Sequence, residues 1–101
     1  MENLLFSLNA TIPIFLLMVV GYFLNKMNIL SFYHKYYEQE QSEELTPTYF
    51  HWKKLEKEFH IDYVFGSEKI YKNLQNMEIG QYDNWIDVSD HMPMILNMNV
   101  E

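Results

Sequence analysis

The chain has 101 residues, contains no cysteine and carries a formal net charge of -7. This length suffices for one domain at most, and the lack of cysteine excludes a disulfide framework, a thiolate zinc site and a cysteine nucleophile. All of its basic residues are lysines. The bidentate guanidinium contacts that commonly bind phosphate or guanine are therefore absent, and the acidic surface would repel nucleic acid unless a metal ion intervened.

The first segment is apolar and has no charged residue between Glu2 and Lys26. At about 1.5 Å per residue, Leu4 to Leu24 is long enough to cross a hydrocarbon layer roughly 30 Å thick. We therefore predict one transmembrane helix, kinked at Pro13, that makes the membrane a partner through residues 4–24. The lysines that follow it favour a single-pass protein with a cytoplasmic tail. A buried helix of a soluble protein is the alternative.

The stretch NATIPIFLLMVVGYFLNKMNIL, Asn9 to Leu30, closely resembles the first transmembrane helix of the auxin efflux carrier family of membrane transporters. That family implies many further membrane helices that enclose a substrate path. No second apolar run of comparable length follows Leu30, and one helix cannot form such a path. We assign residues 1–30 to this carrier-like segment and residues 31–101 to a second segment of different composition.

The second segment begins with FYHKYYEQEQSEELT, residues 32–46, which has no clean period of 3.6 or 2. We predict an irregular stretch with a helical turn, followed by a solvated loop from Gln39 to Glu44. His34 and His51 do not belong to a metal-ligand spacing, so both are predicted to be surface or half-buried histidines.

Short β-rich runs follow Pro47. Thr48 to Trp52 and Phe59 to Phe65 flank a charged connection, which predicts a hairpin. In the second run, alternate residues share a face, so Asp62 points away from an apolar face. That face is formed by Ile61, Tyr63 and Phe65.

Three further elements are predicted towards the carboxyl terminus. Ser67 is expected to be the N-cap of a short helix. Met77 to Tyr82 is predicted to be a strand that precedes a turn at Asp83-Asn84. The last run, Met92 to Val100, alternates apolar and other residues and predicts a half-buried strand.

Candidate chemistry lies in HIDYVFGS, His60 to Ser67, and SDHMPMIL, Ser89 to Leu96. If the two stretches lie close together, the Asp62 carboxylate can accept the Nδ1 proton of His91, which would fix its tautomer and raise its basicity. The alternative makes Asp62 an acceptor for a loop amide, and Asp90 and His91 a polar turn before the last strand.

The motif I-D-Y-V-F-G-S, followed by S-D-H-M-P and a terminal strand, is similar to the C-terminal end of the endonuclease/exonuclease/phosphatase superfamily. The resemblance implies a phosphoester hydrolase, usually dependent on Mg²⁺, built as a four-layer α/β/β/α sandwich. It implies that His91 contacts the scissile phosphate, that Asp62 orients His91, and that Asp90 lies near the metal. The expected fold class is therefore α+β, with one N-terminal transmembrane helix followed by a partial antiparallel β-sheet from such a sandwich.

The N-terminal motifs of that superfamily have no match here. They comprise a metal-binding glutamate, a nearby asparagine and a G-D-x-N loop, and the nearest string, Tyr82-Asp83-Asn84-Trp85, lacks the glycine. Phosphoryl transfer depends on a metal and positioned donors, so we expect a hydrolase fragment that is inactive alone. It would act on a phosphoester or nucleic acid only if the missing half were supplied. The alternatives are a membrane protein fragment related to auxin efflux carriers and a single-span anchor with an acidic interaction tail.

Overall fold

The computed structural model of the chain describes residues 5–8 and 22–99, which form short helices and small antiparallel sheets. The strands are β1 (Leu5–Leu8), β2 (Ile29–Ser31), β3 (Tyr49–Phe50), β4 (Glu58–Phe59), β5 (Tyr63–Ser67), β6 (Leu74–Ile79) and β7 (Met94–Met98). The helices are α1 (Phe32–Tyr37), α2 (Glu68–Tyr71) and α3 (Tyr82–Trp85), with a 3-10 turn at His51–Lys53 and further helical residues at 22–26.

The prediction of a transmembrane helix is wrong. Its first residues form β1 instead, which runs antiparallel to β5 with Leu5 opposite Gly66 and Leu8 opposite Tyr63. No helix within residues 5–8 and 22–99 is long and apolar enough to cross a bilayer. This finding also contradicts the predicted single-pass membrane localisation. The alternative of a single-span anchor depended on the same helix and is wrong as well. Residues 9–21, which include the expected kink at Pro13, lie outside the described residues.

The predicted single partial sheet is also corrected, because the described strands divide among separate small sheets. β5 is the central strand of the order β1-β5-β2, β3 pairs with β4, and β6 pairs with β7. In β5 both edges are paired, since β2 places Ile29 opposite Ser67 on the side away from β1. The predicted apolar face is confirmed, because Ile61, Tyr63 and Phe65 are all buried.

The hairpin predicted beyond Pro47 is present but short. Tyr49 lies opposite Phe59, and Phe50 lies opposite Glu58. The run that was expected to be one strand from Phe59 to Phe65 breaks at residues 60–62, which are irregular. Its two ends therefore belong to different sheets.

The last strand confirms the expected half-buried alternation, although it begins at Met94 rather than Met92. In β7, Met94, Leu96 and Met98 are half-buried while the residues between them are exposed. β6 starts at Leu74, earlier than predicted, and the expected Asp83-Asn84 turn lies within α3. The end of the predicted last strand, Val100, lies outside the described residues.

The segment 32–46 contains the expected helical turn as α1, followed by irregular residues, and it also contributes to the core, which was not predicted. Phe32 and Tyr33 on α1 are fully buried and pack in one cluster with Phe50, Met77 and Met92. This apolar cluster joins α1 to the β3–β4 hairpin and to β6. The elements that carry the candidate residues are thus attached to a common core.

Residue Ser67 caps α2 as predicted. Its Oγ accepts a hydrogen bond from the Ile70 N–H at 3.3 Å, which satisfies one of the free amides at the start of a helix.

Candidate functional site

The two candidate stretches meet at Asp62 and His91. Nδ1 of His91 lies 2.8 Å from Oδ2 of Asp62, and the two side chains are 37% and 16% exposed. The hydrogen bond expected between them is therefore present. Because a carboxylate only accepts hydrogen bonds, Nδ1 must carry the proton, and Nε2 is the acceptor nitrogen of the neutral ring. The catalytic roles of both residues stay predictions.

Backbone pairing with β3 positions His91. His91 and Tyr49 form an antiparallel bridge. The Phe50 N–H donates to the Asp90 carbonyl at 2.9 Å, and the Met92 N–H donates to the Thr48 carbonyl at 2.7 Å. Residues 90–92 therefore extend the β3–β4 sheet by a short third segment, and His91 lies at its centre.

The opposite partner, Asp62, is positioned by a buried threonine. Thr48 is fully buried, and its Oγ1 accepts hydrogen bonds from the N–H groups of Ile61 at 3.0 Å and Asp62 at 3.1 Å. Since the Thr48 carbonyl also binds Met92, this one residue contacts both segments of the candidate site. Sequence reasoning missed Thr48, because a threonine in a β-rich run has no signal that separates it from an ordinary strand residue.

Aromatic rings continue from His91 towards the β3–β4 turn. The Tyr49 ring lies 4.8 Å from the His91 ring, and the Tyr49 hydroxyl lies 3.0 Å from Nδ1 of His51. The His51 ring in turn stacks on Trp52 at 4.5 Å. We call His91, Tyr49, His51 and Trp52 the aromatic row.

The predicted metal ligand, Asp90, is half-buried and lies next to His91 in the chain. Among residues 5–8 and 22–99, no three histidine, aspartate or glutamate side chains lie close enough together to hold a metal ion. We derive no chemical step through Mg²⁺. The assignment of Asp90 to a metal stays a prediction.

A second group of imidazoles lies between α1 and the start of β5. Nε2 of His34 is 2.6 Å from Oε2 of Glu44, and these side chains are 14% and 5% exposed. His34 is half-buried, which is one of the two environments predicted for it. The predicted loop from Gln39 to Glu44 is not uniformly solvated, since Glu44 turns inward to pair with this ring.

His60, two residues before Asp62, also has a largely buried ring. Its Nδ1 donates to the Thr46 carbonyl at 2.7 Å, while its Nε2 is buried and has no hydrogen-bond partner within the described part of the chain. Burial lowers the pKa of His60, because desolvation penalises the charged ring more than the Thr46 carbonyl stabilises it. His60 is therefore neutral at pH 7.

Comparisons of the chain with protein-family models, with curated proteins and with solved structures give no match. The two resemblances described above therefore stay predictions. A function for this chain must be argued from the geometry of its own residues.

Proposed function

We propose that residues 31–101 contribute the histidine and aspartate of a metal-dependent phosphoester hydrolase of the endonuclease/exonuclease/phosphatase kind. The observation that carries the proposal is the 2.8 Å hydrogen bond between Nδ1 of His91 and Oδ2 of Asp62. The two residues are 29 positions apart in the chain, so no local turn explains their contact. When a carboxylate accepts a hydrogen bond from Nδ1 of an exposed imidazole, Nε2 can still exchange a proton with a ligand.

In this arrangement each residue has a separate task. Asp62 fixes the tautomer and the orientation of the His91 ring, as carboxylate partners of catalytic histidines do. Nε2 of His91 would then face the phosphate oxygens. Once this nitrogen has taken up a proton, its N–H would donate to the phosphate oxygens and stabilise the charge that develops during transfer. Thr48 holds the backbone of Asp62 through the hydrogen bond from the Asp62 N–H to its Oγ1.

The chain alone is expected to hydrolyse neither phosphodiesters nor phosphomonoesters with Mg²⁺ or Mn²⁺. The sequence has no match to the superfamily's metal-binding glutamate or to its water-activating G-D-x-N loop. An aspartate and histidine pair without these groups cannot offset the charge on the phosphate oxygens. The groups that complete the site must therefore come from another polypeptide segment.

Complementation tests the proposal. A separately expressed N-terminal half of a related hydrolase is added to the full chain, and metal-dependent hydrolysis of a phosphodiester is measured. We expect activity to appear and to fall about 100-fold or more in His91→Ala, which is the usual size of a proton-transfer contribution. Asp62→Asn should reduce turnover strongly while leaving assembly intact, because it removes the charge and favours the wrong tautomer.

The matched control is Asp87→Asn, since Asp87 is an exposed acid close in sequence to the same stretch. It should leave the complemented activity unchanged. Activity that survives His91→Ala would refute the site. Turnover by the unassisted chain would show that the chemistry requires fewer groups than we propose.

A further inference from the structure

The serine before α1 does not behave like the serine before α2, although each directly precedes its helix. Ser67 caps α2, since its Oγ accepts from the Ile70 N–H at 3.3 Å. Ser31 occupies the same position before α1, but within the described residues its side chain makes no capping hydrogen bond. Its Oγ lies instead 2.5 Å from Nδ1 of His34. The side-chain oxygen that ordinarily satisfies a helix amide therefore contacts an imidazole here.

The same imidazole contacts a carboxylate through its second nitrogen. Nε2 of His34 lies 2.6 Å from Oε2 of Glu44, whose side chain is only 5% exposed. Because a carboxylate only accepts hydrogen bonds, Nε2 carries the proton of the neutral ring, and the Ser31 hydroxyl must donate to Nδ1. We call Ser31, His34 and Glu44 the serine triad. A hydroxyl, a base and an orienting acid follow one another in it, which is the arrangement that activates a serine nucleophile.

Neighbouring elements fix the position of the serine triad. Ser31 is the last residue of β2 and lies opposite Phe65 in the central strand β5. The His34 ring stacks at 5.7 Å on the ring of Tyr63, which is itself buried. A nucleophile and a base that are held in place beforehand lose little further freedom when a substrate reacts.

The serine triad faces a cavity. The cavity has a volume of about 670 Å³, which is typical of small-molecule sites. Ser31 and His34 both line it, and an apolar wall is supplied by Tyr22, Ile29 and Phe65. A small molecule inside this cavity would therefore meet the hydroxyl and its base together.

An amide donor borders the same cavity. Gln39 lines it, and its Oε1 accepts hydrogen bonds from the Tyr33 hydroxyl at 2.5 Å and from the Leu45 N–H at 2.9 Å. These two donors fix the orientation of the amide, so Nε2 is the group that Gln39 can offer to the cavity. A positioned N–H of this kind stabilises the negative charge that develops on a carbonyl oxygen during acyl transfer.

We propose that the serine triad hydrolyses a neutral carboxylic ester with an apolar acyl group. The carbonyl carbon of an ester is an electrophile that an activated serine attacks. The apolar wall fits the acyl group, while Glu40 at the cavity and the net charge of -7 disfavour an anionic ester. This activity goes beyond the proposed phosphoester function, because it uses neither Asp62 nor His91.

The reaction has two steps. In the first, Oγ of Ser31 bonds to the carbonyl carbon and its proton passes to Nδ1 of His34. The bond from that carbon to the alcohol oxygen then breaks, and Nδ1 gives the proton to the leaving alkoxide. In the second, water attacks the acyl-serine and loses a proton to Nδ1, which returns it to Oγ as the carboxylic acid leaves. The Glu44 carboxylate stabilises the imidazolium formed in each step.

Covalent labelling with an alkyl fluorophosphonate tests the nucleophile. The probe reacts with activated serine hydroxyls by loss of fluoride, so the product stays on the residue that attacked. Cleavage after Lys26 and Lys35 releases residues 27–35, in which Ser31 is the only serine. We expect mass spectrometry to find the label on Ser31 in the folded chain but not in the chain unfolded in urea. A label that is absent from Ser31, or equally frequent in the unfolded chain, would overturn the proposal.

The variant Ser31→Asn separates nucleophilic attack from a structural role. Asparagine is as favourable as serine before a helix, so the melting temperature should stay at the wild-type value. Without the hydroxyl, hydrolysis of p-nitrophenyl butyrate should fall about 100-fold or more. Ser42→Ala is the matched control, because Ser42 is an exposed serine of the loop after α1, and it should react like wild type. Ester hydrolysis that survives Ser31→Asn, or falls equally in Ser42→Ala, would contradict the serine triad.

The base and the acid are tested by the rate of the same labelling. His34→Gln removes the proton acceptor and should slow labelling of Ser31 about 100-fold or more. In Glu44→Gln the new amide can donate to Nε2, which moves the ring proton to Nδ1 and prevents acceptance from Ser31. This variant should label more slowly, and the ¹⁵N chemical shifts of the His34 ring should report the moved proton. A wild-type labelling rate in either variant would refute the serine triad.

Discussion

Replacement of Thr48 by valine should destabilise the fold and disturb the candidate site together. Valine has nearly the same shape but no oxygen, so the N–H groups of Ile61 and Asp62 lose the acceptor that each now reaches at 3.0 and 3.1 Å. A buried polar group left unsatisfied costs about 1 to 3 kcal/mol. Ile61 is buried while Asp62 is half-buried and can turn towards water. We therefore expect a total loss of about 2 to 4 kcal/mol in the free energy of unfolding.

Two assays measure this change. Urea unfolding gives the loss of stability, and the ¹⁵N chemical shifts of the His91 ring show whether Nδ1 still carries the proton that binds Asp62. Thr48→Ser is the matched control, because it keeps Oγ while removing one methyl group, and it should preserve the wild-type ring shifts. A valine variant with wild-type stability and an unchanged His91 spectrum would refute the positioning role of Thr48.

Two other changes test the packing and the buried histidine. Gly80→Ala should lower the free energy of unfolding, measured by urea unfolding, by about 1 to 3 kcal/mol through overpacking. A Cβ there would lie 2.6 Å from Cδ of Pro93 and 2.7 Å from Cδ1 of Trp85, and wild-type stability would show that these neighbours move at little cost. The lowered pKa of His60 predicts stability that is fully present above its unfolded pKa of about 6.5 and is lost as the pH falls through the lower folded value. The melting temperature of His60→Asn, whose amide can still donate to the Thr46 carbonyl, should therefore fall less between pH 7.5 and 5.5 than that of wild type, and an equal fall would refute the assignment.

Local patterns were sufficient to predict several elements. The burial of Tyr63 and Phe65 follows from the period of two along β5. The cap at Ser67 follows from the preference of helix N-termini for a side-chain oxygen. Each of these predictions depends only on residues that are neighbours in the chain.

Long-range pairing explains the main error. An uncharged run that begins at Leu5–Leu8 satisfies the length criterion for a membrane helix, but the β1 backbone pairs instead with β5, which lies more than fifty positions later. Nothing in the sequence around Leu5 indicates that it pairs with β5. Tertiary pairing therefore overrode the local interpretation.

In the candidate site, too, some features could be predicted from the sequence and others could not. The contact between Asp62 and His91 followed from the resemblance that the two motifs carry, whereas their spacing alone left open whether the two stretches lie close together. Thr48 could not be predicted, because its importance arises from hydrogen bonds to both motifs that exist only in the folded chain.

The double pairing of β5 has a consequence for how the site can be transplanted. Asp62 directly precedes β5, and β1 covers one edge of that strand. A shortened chain that begins at residue 31 would lose β1 and nearly all of β2, which would expose two rows of free backbone groups beside the site aspartate. Such open edges recruit strands from other molecules. The segment that carries the Asp62–His91 pair therefore cannot be transferred alone to another protein. A graft of the site must include β1 as well.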